Sequence, residues 1–191
     1  MQRWFGILLS SVLLLATAAG RADEYSDTTE LFKNAGQSAA FFKKCYGYAV
    51  FPTIGKGGLV VGGAYGNGRV YAHEQHVGDV SVTQVSLGFQ AGGQAYSQII
   101  FFEDERAFKE FTAGSYEFGA DASAVAITAA ASGGVGTSGA SAGASGGKKD
   151  ATTVGKYYKG MAVFTIAKGG AMFEASVAGQ KFKYKPTGAK S

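Results

Sequence analysis

The sequence predicts an α+β fold, a mainly antiparallel curved β-sheet or small barrel with an N-terminal helix and one short central helix. Three observations carry this. Apolar residues fall at helical spacing only over residues 27–45 and again over 104–113. Short β-rich runs fill most of the remaining chain. Those runs are broken by many of the chain's 30 glycines. Glycine inside a strand marks a bulge, a bend or a close backbone approach, so this density implies strong curvature.

Residues 1–22, which open MQRWFGILLSS, read as a secretory signal peptide. Arg3 supplies the positive start, and Phe5 to Ala16 is apolar apart from Gly6, Ser10 and Ser11. That run is shorter than the roughly 20 residues of a membrane span. Gly20 and Ala22 place small side chains where a signal peptidase reads, and a retained N-terminal anchor is the alternative. Cleavage after Ala22 leaves residues 23–191 as a single domain. Cys45 is the sole cysteine, so no intrachain disulfide forms. The hydrophobic core must then hold the domain, and an aromatic content of 13% can supply one.

Ser26-Asp27-Thr28-Thr29-Glu30 has the spacing of a capping box and marks the expected helix start. Leu31, Phe32, Ala35, Ala39 and Phe42 follow on one helical face, and the helix should end near Cys45 or Gly47. Strands are expected over 59–65, 69–72, 80–89 and 95–102, with Gly66-Asn67-Gly68 as a turn between the first two. Acids gathered at Glu103 to Glu105, with Phe108 and Phe111 three apart, predict the short helix at 104–113. Strand is expected again over 119–128 and from Thr152 to Lys185. Between them, residues 132–149 are almost entirely Gly, Ser and Ala and read as a flexible loop.

The formal charge of +4 hides an asymmetry. From Lys148 to Ser191 nine lysines face only Asp150 and Glu174. A basic C-terminal third points to an anionic partner such as a membrane surface. Lysines that guard sheet edges are the plainer reading. Lys181-Phe182-Lys183-Tyr184-Lys185 alternates so that a strand puts lysines on one face and rings on the other. Inward-packed rings cannot stack bases, so nucleic acid is not expected as a partner.

Enzyme and cofactor motifs are missing. Lys56-Gly57-Gly58 lacks the order of a phosphate loop. Gly62 to Gly68 lacks dinucleotide-loop spacing, and no Gly-x-Ser-x-Gly elbow occurs. No cofactor is implied. His73 and His76 are the only histidines, and their spacing matches no recognised metal pattern. A hydrolase would need a catalytic group converging on one of them.

One phrase occurs twice: GYAVFPTIGKGG from Gly47 and GMAVFTIAKGG from Gly160. Tyr71 and Tyr184 close the two units at matching distances. The register predicts two related strand–turn–strand units, paired across a pseudo-symmetric sheet. Their Ala-Val-Phe parts are expected in the core.

The run from Gly47 through Phe51 and Ile54 to Lys56-Gly57-Gly58, then Gly62, Gly66 and Gly68, resembles the SYLF domain. Ser86 to Gln94, Ile99 to Phe102, Ala107-Phe108 with Phe111, Gly119 to Ser123, and Lys168-Gly169-Gly170 through Ser176 and Gly179 continue the resemblance in order. It spans residues 27–184 and departs from the family pattern at Glu174, at Ala129 to Ala131 and at Asp79 to Val85. It implies a non-enzymatic module that binds phosphoinositide or other anionic lipid, with actin binding in eukaryotic relatives. For an exported chain, actin drops out. The expected function is binding of anionic phospholipid headgroups at an envelope membrane, in the periplasm. Lys181, Lys183 and Lys185 are the lipid-binding candidates, with Lys56 and Lys168 secondary. A structural or protein-interaction role in the periplasm or outer membrane is the alternative.

Overall fold

The computed structural model describes residues 13–58, 61–87, 94–122, 124–127, 157–168 and 177–188. Its helices are α1 (Leu13–Asn34), α2 (Gly36–Phe42) and α3 (Glu105–Phe111). Its strands are β1 (Gly47–Gly58), β2 (Val61–Ala72), β3 (Gln75–Leu87), β4 (Gln94–Phe102), β5 (Ser115–Glu117), β6 (Val125–Ile127), β7 (Met161–Lys168) and β8 (Lys181–Pro186). The sheet order is β5-β8-β3-β2-β1-β4-β7-β6. Seven strands run antiparallel, and β6 joins β7 in parallel. The expected α+β class holds. The barrel alternative does not, because among the described residues β5 and β6 form the two edges of the sheet and do not pair with each other. The Gly/Ser/Ala loop at 132–149 lies outside the described residues.

The helical region departs from expectation at both ends. α1 runs straight through Ser26 to Glu30, so the capping box starts no helix. The Thr28 and Thr29 hydroxyls instead donate to the carbonyls of Glu24 and Tyr25, at 2.7 and 2.8 Å. Such i−4 bonds satisfy a hydroxyl inside a helix. The chain breaks at Ala35, whose backbone is extended. Ser38, fully buried, donates to the Phe32 carbonyl at 2.6 Å and so caps the end of α1 from within α2. α3 forms as expected: Asp104 is its N-cap and accepts from the Ala107 N–H at 2.8 Å.

Gly66-Asn67-Gly68 is not a turn; β2 passes through it unbroken. The turn falls at His73 and Glu74, both at positive φ (48° and 66°). A two-residue turn of this hand matches the twist of a hairpin.

Each sheet face carries its own core. On one face Phe41 of α2 and Phe32 of α1 pack on Val50, Ile99, Phe101 and Phe164. This cluster covers the β1, β4 and β7 half of the sheet. On the other face Phe51, Ile54, Val82, Ile100, Phe102 and Phe182 pack with Phe111 of α3 and with Phe118.

The second face is strongly concave. β8 lies four strand steps from β4, roughly 19 Å in a flat sheet. Yet Gln180, next to β8, exchanges two hydrogen bonds with Gln98 of β4, at 2.9 and 3.1 Å. Gln180 also donates to the Tyr96 hydroxyl at 3.1 Å. Both glutamines are fully buried. The rings of Phe51 and Phe182 meet at 5.8 Å across the same hollow. Side chains therefore complete a closure that strand pairing leaves open.

The doubled phrase forms β1 and β7, which flank β4. They are not in equivalent register. Ile99 faces Val50 on one side and Phe164 on the other; Ile100 faces Ala49 and Val163. One copy is slipped by a residue, and a one-residue slip reverses facing. Phe51 accordingly lies in the concave core and Phe164 in the helix-covered one. The expectation of paired units fails further on. β1 and β2 form a hairpin, but β7 and β8 stand far apart in the sheet. Only the core role of the Ala-Val-Phe parts is retained.

Replacing Gln98 by Leu leaves the buried Gln180 Oε1 without its donor, at a cost of about 1–3 kcal/mol. The double variant Q98L/Q180L removes both amides but leaves the buried Tyr96 hydroxyl without its donor, so it recovers only part of that loss. Urea unfolding of the two single variants and the double variant checks this as a thermodynamic cycle. Burial, opposed by the Gln180 hydrogen bond, pushes the Tyr96 phenol up to about 12. Burial also lifts Tyr48 to about 12. Unfolded tyrosines ionise near 10, so above that pH the unfolded chain binds fewer protons than the native one. Stability is therefore full below about pH 10 and falls between 10 and 12, which urea midpoints taken from pH 9 to 12 will show.

Candidate functional site

The helices cover only half of their sheet face. The other half, over β2, β3 and β8, is open and polar. Its composition follows from strand alternation. On β2, Ala64, Gly66, Gly68 and Val70 turn into the concave core, while Tyr65, Asn67 and Arg69 turn out. Gly66 and Gly68 are small because β1 crosses close beneath them. A Cβ at Gly68 would lie 2.6 Å from the Phe51 ring and 2.8 Å from the Val50 carbonyl oxygen. On β3 Asp79, Ser81 and Thr83 face out, and on β8 Lys181, Lys183 and Lys185 do.

Strand register arranges these side chains in rows. Thr53, Asn67, Ser81 and Lys183 are successive neighbours across four strands. Arg69, Asp79 and Lys185 form the next row, and Tyr65, Thr83 and Lys181 the row on the other side. Together with Glu24 and Tyr25 of α1, most of these line a cleft of about 710 Å³.

One wall of the cleft is locked. The Glu24 carboxylate accepts from the Thr53 hydroxyl at 3.0 Å and pairs with Lys168 at 3.6 Å. Lys168 in turn donates to Thr53 at 2.8 Å. The Arg69 guanidinium lies over the Tyr25 ring at 4.3 Å. Burial raises the Tyr25 phenol pKa, and Arg69 pulls it the other way. Asp79 is engaged by His76 Nε2 at 3.1 Å. Lys183 and Lys185 have no ion-pair partner among the described residues. The cleft therefore offers two free ammonium groups, a guanidinium, an amide and hydroxyls.

The five lysines singled out in the sequence divide accordingly. Lys183 and Lys185 line the cleft. Lys181 shares their face but pairs with Glu117 at 3.5 Å. Lys168 stands at the locked wall. Lys56 lies on the opposite face, in step with Ile54 and opposite Ala64, so it does not join them.

The histidines fall elsewhere. The His73 ring packs edge-on against Tyr46 at 4.6 Å. His76 Nε2 lies 3.1 Å from both the Gly78 carbonyl and Asp79. Among the described residues neither histidine hydrogen-bonds a hydroxyl or thiol, and no three His, Cys, Asp or Glu side chains gather as a metal cluster. Burial raises the pKa of the half-buried Cys45 thiol, which keeps it protonated and unreactive.

Sequence reasoning missed Asn67, Arg69, Ser81 and the α1 wall. The signal for the first two was present: Tyr-Gly-Asn-Gly-Arg alternates large and minimal side chains. That is a strand with one crowded face.

A family model described as Ysc84, Las17-binding protein actin regulator, matches residues 83–186, from within β3 to the end of β8. A relative from Aeromonas veronii, beta cell expansion factor A, is 28% identical over 154 residues. The match takes in 80% of this chain and 51% of that protein, so the chain spans about half the length of the curated relative it matches.

Gly68→Ala sets a methyl against the Phe51 ring and the Val50 carbonyl. It should lower stability by about 1–3 kcal/mol, as overpacking does. Gly55→Ala, where nothing lies within 4 Å, should leave the urea midpoint nearly unchanged.

Proposed function

The chain belongs to the Ysc84 (SYLF) family, a family of binding and regulator domains, and on that premise we propose that it is a non-enzymatic binder of anionic phospholipid headgroups. Binding takes place on the open sheet face. The observation that supports this best is the pair of ammonium groups of Lys183 and Lys185, which have no ion-pair partner among the described residues, beside Arg69 in a polar cleft. Each cation near an anionic surface contributes about 1 kcal/mol. Lysines two apart on β8 stand roughly 6.7 Å from one another, all facing one way. That presents a flat row of charge to a membrane. The leader at residues 1–22 directs the chain to the periplasm, and the contacted surface is an envelope membrane. The family's description names an actin regulator, but an exported chain does not meet cytoplasmic actin.

Co-sedimentation with vesicles tests this. The protein should pellet with phosphatidylglycerol vesicles and stay in solution with phosphatidylcholine. K183A/K185A should weaken the partition about thirtyfold, two lysines' worth. Raised salt should weaken it as well. Equal binding to both lipids, or a variant that binds as well as the native chain, would sink the proposal.

A further inference from the structure

Deepening that reading, and resting on it for the cleft and its cations, we propose that the cleft recognises a sugar phosphate. The ligand is a hexose ring carrying a phosphate, either as a lipid headgroup or as a free sugar phosphate. A volume of about 710 Å³ is far larger than a phosphate ion needs and falls in the range of small-molecule sites.

The lining also differs from that of a bare anion site. Glu24 and Asp79 stand on the same walls as Arg69, Lys183 and Lys185. Carboxylates repel a phosphate but accept hydrogen bonds from ring hydroxyls. Between acids and cations lie Asn67 and Ser81, neighbours in one row. Asn67 Oδ1 is taken by the Tyr65 hydroxyl at 2.9 Å, which leaves its NH₂ group for a ligand. The Ser81 hydroxyl makes no hydrogen bond among the described residues, so it too is open to a ligand.

An exposed aromatic face completes the set. Tyr65 is 57% exposed at the rim of the cleft, an unusual position for a large ring. Such rings offer an apolar platform with a polar edge, which suits the C–H face of a pyranose. Tyr65 and Arg69 lie two outward rows apart, roughly 13 Å, which leaves room for one six-membered ring above Asn67. The ring then rests on Tyr65, its hydroxyls meet Asn67, Ser81 and the free Asp79 oxygen, and its phosphate reaches Lys183 and Lys185.

Calorimetric titration of the full chain with glucose 1-phosphate, inorganic phosphate and glucose tests the ligand class. Glucose 1-phosphate should bind at least about tenfold more tightly than inorganic phosphate, the worth of one or two added hydrogen bonds. Asn67→Ala and Tyr65→Ala, both on the solvent side, should remove that advantage and leave inorganic phosphate within about twofold. K183A/K185A should weaken both. A parallel sedimentation arm compares phosphatidylglycerol vesicles with and without a hexose-phosphate lipid. Tighter binding to the doped vesicles supports the proposal with a lipid-borne sugar. Binding of free glucose 1-phosphate with no vesicle binding supports the sugar site and removes the membrane. If glucose 1-phosphate binds no better than inorganic phosphate while plain anionic vesicles still bind, the sugar-phosphate proposal is overturned and the lipid reading stands. Asn67 and Tyr65 variants that keep the full preference would overturn it as well.

Discussion

The reciprocal hydrogen bonds between Gln98 and Gln180 govern the shape of this molecule. They join the segment before β8 to β4 across four strand steps, inside a hollow lined mainly with apolar side chains. Two buried amides satisfy each other there, so neither bears an uncompensated desolvation penalty. The pair has one geometry, and that geometry sets how far the sheet curls. Phe182 then wedges between Phe51, Phe111 and Phe118. α3 closes the remaining gap.

The curl determines where the basic strand lies. Because Phe182 and Tyr184 are drawn inward, Lys181, Lys183 and Lys185 must face out on the convex side. That convex side is shared with α1 and α2, which cover its β1, β4 and β7 half. Glu24 and Tyr25 of α1 stand at the border of that covered half, and the open half begins there. The cleft is thus a boundary feature. Most of its lining comes from strands, chiefly β2, β3 and β8, which are polar on this face because no helix covers them. The rest comes from Glu24 and Tyr25 of α1.

The repeated phrase illustrates how little a local sequence says about its own orientation. Both copies became strands, and both put Ala, Val and Phe in the core. Their facing is opposite, because β4 receives them with a one-residue offset. β1 carries a register shift between Val50 and Thr53, where Pro52 lies and where Ser97 bonds the Pro52 carbonyl at 2.7 Å. β7 has no such shift. The glycines tell a similar story. Gly66 and Gly68 looked like a turn, since glycine permits one, but their smallness rather than their flexibility is what the fold uses.

Local chemistry alone determined the class of this protein, the core character of its apolar strands, the Asp104-capped helix and the lysine alternation on β8. Each rests on the period of side chains along a few residues, which no distant contact can change. The start of α1, the position of the hairpin turn, the fate of the repeat and the membership of the cleft were decided only by the tertiary structure. All of these depend on pairings between residues far apart in the chain. Lys56 and Lys183 look alike in sequence, but register sends one to each face, while Arg69 and Asn67 join Lys183 because strand pairing set them side by side.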